Sequence, residues 1–324
     1  MNLWKGFHFY WSDYMNKSLL DLKDAANDIL LIGEILVDEI RDGDLVKAYF
    51  GGSPANITIN LKRLGCNPVL LAALGDDSNA DFLHSFLVKE GLNTDFIYRS
   101  TVTTSKVLLN KSEDSPVPYF IRGSDHLIHF NRNVEEQLIN SKILHFSYWP
   151  LSLNPSKDAV LEAIKVAKKH NVKIGFDPNY HADLYMKDGF SIADVVELIK
   201  QVDIMKPSLD DAKRLFGDGL EVEEYLNMFR DLGVSLVVMT RGKDGLMASY
   251  NDTIVRYQSY AKVVVDSTGA GDAFWSGLYT GLIKGLSIDK SIKLGLACSA
   301  YNLKHVGALS DLPDYDDLIM EYNI

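Results

Sequence analysis

The sequence predicts a three-layer α/β/α sandwich with a mostly parallel central sheet and a small antiparallel β lid. Apolar runs alternate with helical segments, and two further segments break that rhythm. The apolar runs are continuous, which indicates strands covered on both faces, as in parallel sheets between helical layers. These runs lie at 29–37, 68–75, 142–148, 172–178, 202–207 and 234–240.

Helical periodicity fills the intervals between these strands. The first helix is well specified locally, because Ser53 is a good N-cap, Pro54 a good first residue and Gly65 a good stop. The predicted helices cover 54–64, 79–90, 155–170, 191–200 and 221–231.

The chain is predicted to form a single domain after an N-terminal extension. Residues 1–28 are aromatic-rich and precede the first convincing strand, so the domain is expected to span 29–324. Short alternating strands without a helix between them mark 38–50 and about 98–125. They predict a lid that would exclude water from a site; a decorated sheet edge is the alternative.

Composition narrows the functional class. The formal net charge of −11 disfavours nucleic acid as a partner. The two cysteines show no zinc-binding spacing, and no apolar run approaches the length of a membrane helix. Without a signal-peptide pattern at the N-terminus, a cytoplasmic location is expected and no membrane partner.

A glycine-rich run is the strongest sign of chemistry. The run is DSTGAGDAF (266–274), within VVVDSTGAGDAFWSGLYTGL (263–282), which predicts a strand, a glycine-rich turn and a helix in succession. There the amides of Gly269, Ala270 and Gly271 can converge on an anion. The run is not a Walker A loop, and Phe274 stands where the dinucleotide fingerprint needs its third glycine. A phosphoryl group suits such a nest.

Asp272 lies inside this nest. A carboxylate there could accept a proton from a hydroxyl that attacks the phosphoryl group held by the same amides. The alternative is that Asp272 caps the helix while the glycines permit tight packing. The run by itself leaves both interpretations open.

The run resembles the DTxGAGDxF signature of the ribokinase-like (PfkB) carbohydrate kinases. Four more segments resemble elements of that family and occur in family order: GEILVD (33–38), GGSPANITINLKRLG (51–65), TRGKDG (240–245) and VGALSDLP (306–313). The resemblance spans residues 29–313 and implies an ATP-dependent sugar kinase with a ribokinase-like fold.

The resemblance assigns roles to particular residues. Asp272 would deprotonate a sugar hydroxyl that attacks the γ-phosphate of MgATP, with the amides from Gly269 to Asp272 as an anion hole. Residues matching the family's sugar-binding positions are Asp38, Gly51, Gly52, Asn56, Arg122, Asp177 and Asn179. Residues matching its nucleotide-binding positions are Ser208, Thr240, Gly242 and Gly245. A potassium ion is implied beside Asp266, His305 and Gly307.

Two departures from the family pattern bear on metal and substrate. Ser208 and Asp211 replace the usual NxxE, so Asp211 would hold Mg²⁺ through water, and the two would also form a capping box. His181 stands where arginine is typical, which argues against an acidic sugar. Arg122 matches the lid arginine of the fructokinase-like branch, so fructose or a related neutral sugar is expected.

The expected ligands are a small-molecule sugar and ATP, with Mg²⁺ and potassium as the implied ions, and a homodimer is expected. Two alternatives keep much of the same site. One is a kinase for 2-keto-3-deoxygluconate, ribose or a nucleoside; the other is a catalytically weak sugar- or nucleotide-binding sensor.

Overall fold

The computed structural model describes residues 21–42, 45–110, 118–179, 184 and 190–324. Within those ranges, thirteen strands form two sheets. In chain order they are β1 (Asn27–Ile32), β2 (Leu36–Asp42), β3 (Leu45–Gly51), β4 (Pro68–Leu74), β5 (Ile97–Arg99), β6 (Lys106–Asn110), β7 (Tyr119–Ile121), β8 (Ser141–Ser147), β9 (Lys173–Asp177), β10 (Ile204–Met205), β11 (Leu236–Thr240), β12 (Leu246–Tyr250) and β13 (Thr253–Tyr257).

Ten α-helices accompany these strands in the described part of the chain. They are α1 (Ser53–Arg63), α2 (Ser78–Lys89), α3 (Arg132–Ile139), α4 (Ser156–Lys169), α5 (Ile192–Ile199), α6 (Leu209–Phe216), α7 (Val222–Asp231), α8 (Ala270–Ile283), α9 (Ile288–Asn302) and α10 (Tyr315–Tyr322). None of the described helices is long and apolar enough to cross a membrane.

The large sheet has nine strands in the order β13-β12-β11-β10-β9-β8-β1-β4-β5. The strands from β11 to β5 are parallel, and β12 and β13 are antiparallel at one edge. Along β1, Leu30 and Ile32 join one apolar cluster while Ile29 and Leu31 join another. Because both faces are buried, the predicted three-layer α/β/α sandwich is confirmed.

The small sheet has the order β3-β2-β6-β7. Its β2–β3 and β6–β7 pairs are antiparallel, as expected, but β2 and β6 are parallel. The sheet draws on both segments predicted for the lid, except that β5 pairs with β4 in the large sheet. Most of the extension at 1–28 and part of the second lid segment lie outside the described residues.

The strand predicted at 29–37 is two strands. β1 ends at Ile32, and β2 begins at Leu36 in the other sheet. Between them the start of α1 lies so close that a Cβ on Gly33 would be 2.5 Å from Pro54 Cγ. The sequence pattern does not show this break, because the end of β1 and the start of β2 are both buried and the apolar run continues across it.

The parallel strands direct their carboxyl ends to one edge of the sheet, where ligands bind in open α/β sheets. Glu34 follows β1, Asp177 ends β9, and Lys206 follows β10 at this edge. The first turn of α8 brings Asp272 to the same place. The fold therefore gathers chemistry-bearing residues that are far apart in sequence.

Candidate active site

The turn before α8 depends on a backbone that only glycine tolerates. Gly269 precedes the helix with φ of 73°, and a Cβ there would lie 2.2 Å from the carbonyl oxygen of Ala308. The close approach of residue 308 fixes the turn. Ala270 N donates a long hydrogen bond of 3.3 Å to the carbonyl oxygen of Ser267. The next amides of the first turn have no carbonyl partner within their own helix and can face an anion.

Asp272, in the first turn of α8, accepts two hydrogen bonds from α1. Ser53 Oγ donates to Oδ1 at 2.7 Å and Asn56 Nδ2 donates to Oδ2 at 2.9 Å. Burial raises the pKa of Asp272 to about 6, although these two hydrogen bonds oppose the rise. Such a carboxylate is ionised near neutral pH and is a better proton acceptor than an ordinary aspartate.

Asp272 opens onto a cavity of about 360 Å³, which we call the carboxylate cavity. Five acidic side chains and one lysine line it together with polar and apolar residues. The lining residues are Glu34, Leu36, Asp38, Gly52, Ser53, Val107, Trp149, Asp177, Asn179, Lys206, Ser208, Asp211, Gly269, Gly271 and Asp272. Carboxylates in a partly enclosed space suit a ligand with several hydroxyl donors.

Glu34 and Asp38 line this cavity, and burial raises the pKa of both carboxyl groups. Burial raises the pKa of Glu34 to about 8, although hydrogen bonds to backbone amides, including that of Ser53, oppose the rise. Burial, with a smaller contribution from the Asp272 charge, raises the pKa of Asp38 to about 7. Glu34 was not predicted; the signal that could have found it is a charged residue in a continuous apolar run.

The glycine pair that precedes α1 lets the backbone pass close to Glu34 and Asp38. A Cβ on Gly51 would lie 2.4 Å from Asp38 Oδ2. A Cβ on Gly52, where φ is 104°, would lie 2.4 Å from the carbonyl oxygen of Glu34. The predicted residues Asp38, Gly51, Gly52 and Asn56 are thus brought together around Asp272.

Asp177 and Asn179 also line the carboxylate cavity. Asp177 Oδ2 accepts a hydrogen bond from Trp275 Nε1 at 2.7 Å and pairs with Lys206 Nζ at 3.0 Å. Lys206 and Trp275 were not predicted, because a lysine at a strand end and a tryptophan in an apolar helix are ordinary features. His181 lies outside the described residues.

A second cavity of about 430 Å³, which we call the loop cavity, lies along the loop after β11. The predicted nucleotide-binding residues Thr240, Gly242 and Gly245 all line it. Gly245 needs its positive φ of 76°, because a Cβ there would lie 2.1 Å from the carbonyl oxygen of Tyr257. Gly271 lines both cavities, so the two spaces meet at the start of α8.

Ser208 and Asp211 form the predicted capping box at the start of α6. Asp211 Oδ2 accepts from Ser208 N at 3.0 Å and from Ser208 Oγ at 2.6 Å, while Asp211 N donates to Ser208 Oγ at 3.0 Å. Both residues line the carboxylate cavity rather than the loop cavity. Burial raises the pKa of Asp211, against the opposing hydrogen bond from Ser208.

Arg122 is held by protein groups, which does not support the expected contact with a sugar. Its Nε donates to Asp125 Oδ2 at 2.8 Å, its Nη1 donates to Ser152 Oγ at 2.9 Å, and its guanidinium lies 4.8 Å from the centre of the Trp149 ring. Trp149 Nε1 donates to the same Asp125 oxygen at 2.7 Å. Trp149, not Arg122, lines the carboxylate cavity.

The structure brings together Asp266 and Gly307 from the set proposed for potassium. Asp266 Oδ2 accepts from Gly307 N at 2.8 Å, and Oδ1 accepts from Thr268 N at 2.9 Å. Burial would raise the pKa of Asp266, but these hydrogen bonds lower it overall. The ring of His305 is exposed, and its Nδ1 lies 3.0 Å from the carbonyl oxygen of Tyr301.

Comparisons with known proteins find sugar kinases similar to this chain in sequence and in fold. The chain is 43% identical over 308 residues to the ATP-dependent 6-phosphofructokinase of Thermoanaerobacterium thermosaccharolyticum, a match covering 93% of this chain and 95% of that protein. The solved fructokinase of Halothermothrix orenii is 32% identical with a TM-score of 0.74, covering 87% of this chain and 99% of its own.

A fructokinase from Vibrio cholerae O395, solved with fructose, ADP and potassium, has 25% identity and a TM-score of 0.80. That match covers 92% of this chain and 99% of the other. The sequence profile of the pfkB family carbohydrate kinases matches residues 25–315. With a profile match across almost the whole chain and a site that joins two cavities at a glycine-rich helix start, this chain belongs to the pfkB family of carbohydrate kinases.

Proposed function

We propose that the protein transfers the γ-phosphoryl group of ATP to a hydroxyl of a ketohexose, with fructose as the acceptor. The observation that carries this proposal is the position of Asp272. Its carboxylate opens onto the carboxylate cavity, while its neighbour Gly271 also lines the loop cavity. A proton acceptor at the junction of two spaces suits transfer between two bound substrates.

In this proposal the acceptor sugar occupies the carboxylate cavity, and Asp38, Gly51, Gly52, Asn56 and Asn179 bind its hydroxyls. ATP occupies the loop cavity beside Thr240, Gly242 and Gly245. Asp272 accepts the proton of the attacking hydroxyl as its oxygen bonds to the γ-phosphorus. The bond from that phosphorus to the β,γ-bridging oxygen breaks, and ADP leaves. The amides from Gly269 to Asp272 stabilise the charge on the transferred group.

The residues present are compatible with Mg²⁺ held mainly by the nucleotide. The described residues contain no cluster of three His, Cys, Asp or Glu side chains that could bind a metal directly. Mg²⁺ commonly keeps several waters and binds through one or two carboxylates and the substrate phosphates. Asp211 is the proposed carboxylate, acting through water, and the ion would supply charge neutralisation. Potassium beside Asp266 and Gly307 is a further part of the proposal.

The lining of the carboxylate cavity favours a neutral acceptor. Its five carboxyl groups can form hydrogen bonds with hydroxyls, and those that are ionised repel an anion; they belong to Glu34, Asp38, Asp177, Asp211 and Asp272. Fructose satisfies both conditions. Fructose 6-phosphate is a second candidate, favoured by the 43% identity to a 6-phosphofructokinase.

The test is release of ADP from MgATP with fructose, fructose 6-phosphate, ribose, 2-keto-3-deoxygluconate and nucleosides as acceptors. We expect fructose to give the highest kcat/KM; a clear preference for fructose 6-phosphate would replace fructose with the second candidate. Asp272→Asn should lower kcat by about 10²–10⁴-fold with the fold intact. Binding of sugar without turnover on any acceptor would overturn the kinase proposal and support a sensor.

A further inference from the structure

Lys206 lies where the two cavities meet and has no assigned role in the proposed transfer. It follows β10 at the carboxyl edge of the sheet, and its residue is 6% exposed. A Cβ placed on Gly271 would lie 3.4 Å from Lys206 Nζ, so the ammonium group is beside the start of α8. Both residues line the carboxylate cavity, and Gly271 also lines the loop cavity.

Lys206 is the only cationic side chain among the described residues that line the carboxylate cavity. The other ionisable lining groups are five carboxyl groups, and those that are ionised repel a phosphoryl group that enters from the loop cavity. The amides of α8 supply partial positive charge on one side of the junction. Lys206 supplies a full positive charge next to them.

Two residues hold the Lys206 ammonium in place. Asp177 Oδ2 lies 3.0 Å from Nζ, and the same oxygen accepts the indole N–H of Trp275 at 2.7 Å. The Trp275 ring centre is 5.7 Å from Nζ. Trp275 lies in α8 one turn after the glycine-rich start, so the orientation of Lys206 is tied to the helix that carries Asp272.

We propose that Lys206 is a catalytic residue that contacts the transferred phosphoryl group, and that Asp177 and Trp275 are positioning residues that hold its ammonium group. This inference rests on the proposed phosphoryl transfer. Lys206 forms no covalent bond and moves no proton in the step. The phosphoryl oxygens approach its ammonium as the bond to ADP breaks, and the charge is neutralised where it develops.

Asp177 acts in this proposal mainly through Lys206. As a sugar-binding residue alone, Asp177 would leave a buried lysine beside the cavity without a function. With Oδ2 shared by Lys206 and Trp275, the main contribution of Asp177 is to fix the cation. Loss of Asp177 should then lower kcat more than it weakens sugar binding.

The first test is Lys206→Met, which keeps most of the length of the side chain and removes its charge. We expect kcat on the best acceptor to fall by at least about 100-fold, while KM for that acceptor changes less than about threefold. The exposed Lys290→Met on α9 is the matched control and should keep wild-type rates. A Lys206→Met enzyme that unfolds like the wild type and keeps kcat within about threefold would overturn the inference.

The pH profile separates a catalytic cation from a structural one. The Lys206 charge lowers the pKa of Asp272, so the acid limb of kcat should move to higher pH in Lys206→Met. Lys206→Arg, which restores a cation, should recover part of the rate and move the limb back. A loss of rate in Lys206→Met with no displacement of the limb and no recovery by arginine would count against the inference.

Removal of Lys206 leaves the Asp177 carboxylate buried without its cation, which can destabilise the fold. The double variant Lys206→Met, Asp177→Asn removes both charges and keeps an acceptor for Trp275. We expect it to unfold like the wild type and to show the same loss of kcat; a folded double variant with near-wild-type kcat would refute the role. If the wild-type protein phosphorylates no acceptor, the proposed function fails; if it is active and both lysine variants stay active, only this inference fails.

Discussion

Asn56 Nδ2 donates a 2.9 Å hydrogen bond to Asp272 Oδ2, although 216 positions separate the two residues in the chain. The contact joins the first turn of α1, just after the glycine pair, to the first turn of α8. It also lowers the pKa of Asp272 against the effect of burial. The proton affinity of the proposed base is therefore set partly by a residue of the sugar-binding segment.

Replacing Asn56 with alanine should raise the pKa of Asp272 above its value of about 6. The base must be deprotonated to act, so the acid limb of the kcat profile should move to higher pH. The variant should therefore lose less kcat at alkaline pH than at acid pH. The measurement is kcat at saturating sugar across about pH 5–8.5. Asn60→Ala is the control, because Asn60 is buried in the same helix and no described group bonds its amide. Equal displacement in both variants would contradict the prediction.

Glu34→Gln should raise the free energy of unfolding relative to the wild type, and this gain should increase as the pH rises. The pKa of Glu34 is raised by burial from 4.5 to about 8, so the folded state binds this proton more tightly than the unfolded state. Ionisation between those values therefore costs stability in the wild type, at about 1.4 kcal/mol per pKa unit, and glutamine avoids that cost.

Denaturant unfolding of the wild type and Glu34→Gln should show little difference near pH 4.5 and a gain of a few kcal/mol for the variant near pH 8.5. Asp316→Asn on α10, where the side chain is exposed, serves as a charge-matched control and should show no such trend. If the two proteins differ in free energy of unfolding by the same amount at both pH values, the raised pKa of Glu34 is refuted.

Arg122→Met should lower the free energy of unfolding by about 3–5 kcal/mol, because it leaves the fully buried Asp125 carboxylate without its cation. The double variant Arg122→Met, Asp125→Asn should recover most of that loss. Because Trp149 rather than Arg122 lines the cavity, the sugar KM of the double variant should stay within about threefold of wild type. A large rise in KM at unchanged stability would restore the role first expected for Arg122.

Local sequence patterns predicted the large elements well because their signals are local. Continuous apolar runs mark strands that are buried on both faces, and a glycine such as Gly65 marks a helix end. The N-cap predicted at Ser53 was wrong: Gly52 is the N-cap of α1, and the Ser53 hydroxyl donates to Asp272 instead of capping the helix. The same signals could not divide 29–37 into two strands, since apolarity persists across Gly33. They also could not assign β5 to the large sheet, because that choice depends on pairing with β4 and not on its own residues.

The glycine-rich nest and Asp272 could be predicted because their chemistry is concentrated in nine consecutive positions, 266–274. Lys206 and Trp275 could not, because neither is unusual alone. Their proposed roles depend on the pairing of β9 with β10, which brings Asp177 next to the ammonium group of Lys206. Aligning the ends of the predicted parallel strands would have been the route to Lys206, since ligands bind beyond those ends.

Asp211→Asn should weaken the dependence on Mg²⁺ without removing the helix cap. An asparagine oxygen can still accept the bonds that Ser208 N and Oγ donate to Oδ2, so α6 should remain capped. The charge that would attract a hydrated ion is lost, and the Mg²⁺ concentration for half-maximal rate should rise about tenfold. Asp210→Asn, one position away with an exposed side chain, removes the same charge and should leave the Mg²⁺ titration unchanged. Identical titrations for wild type and Asp211→Asn would show that the nucleotide alone holds the ion.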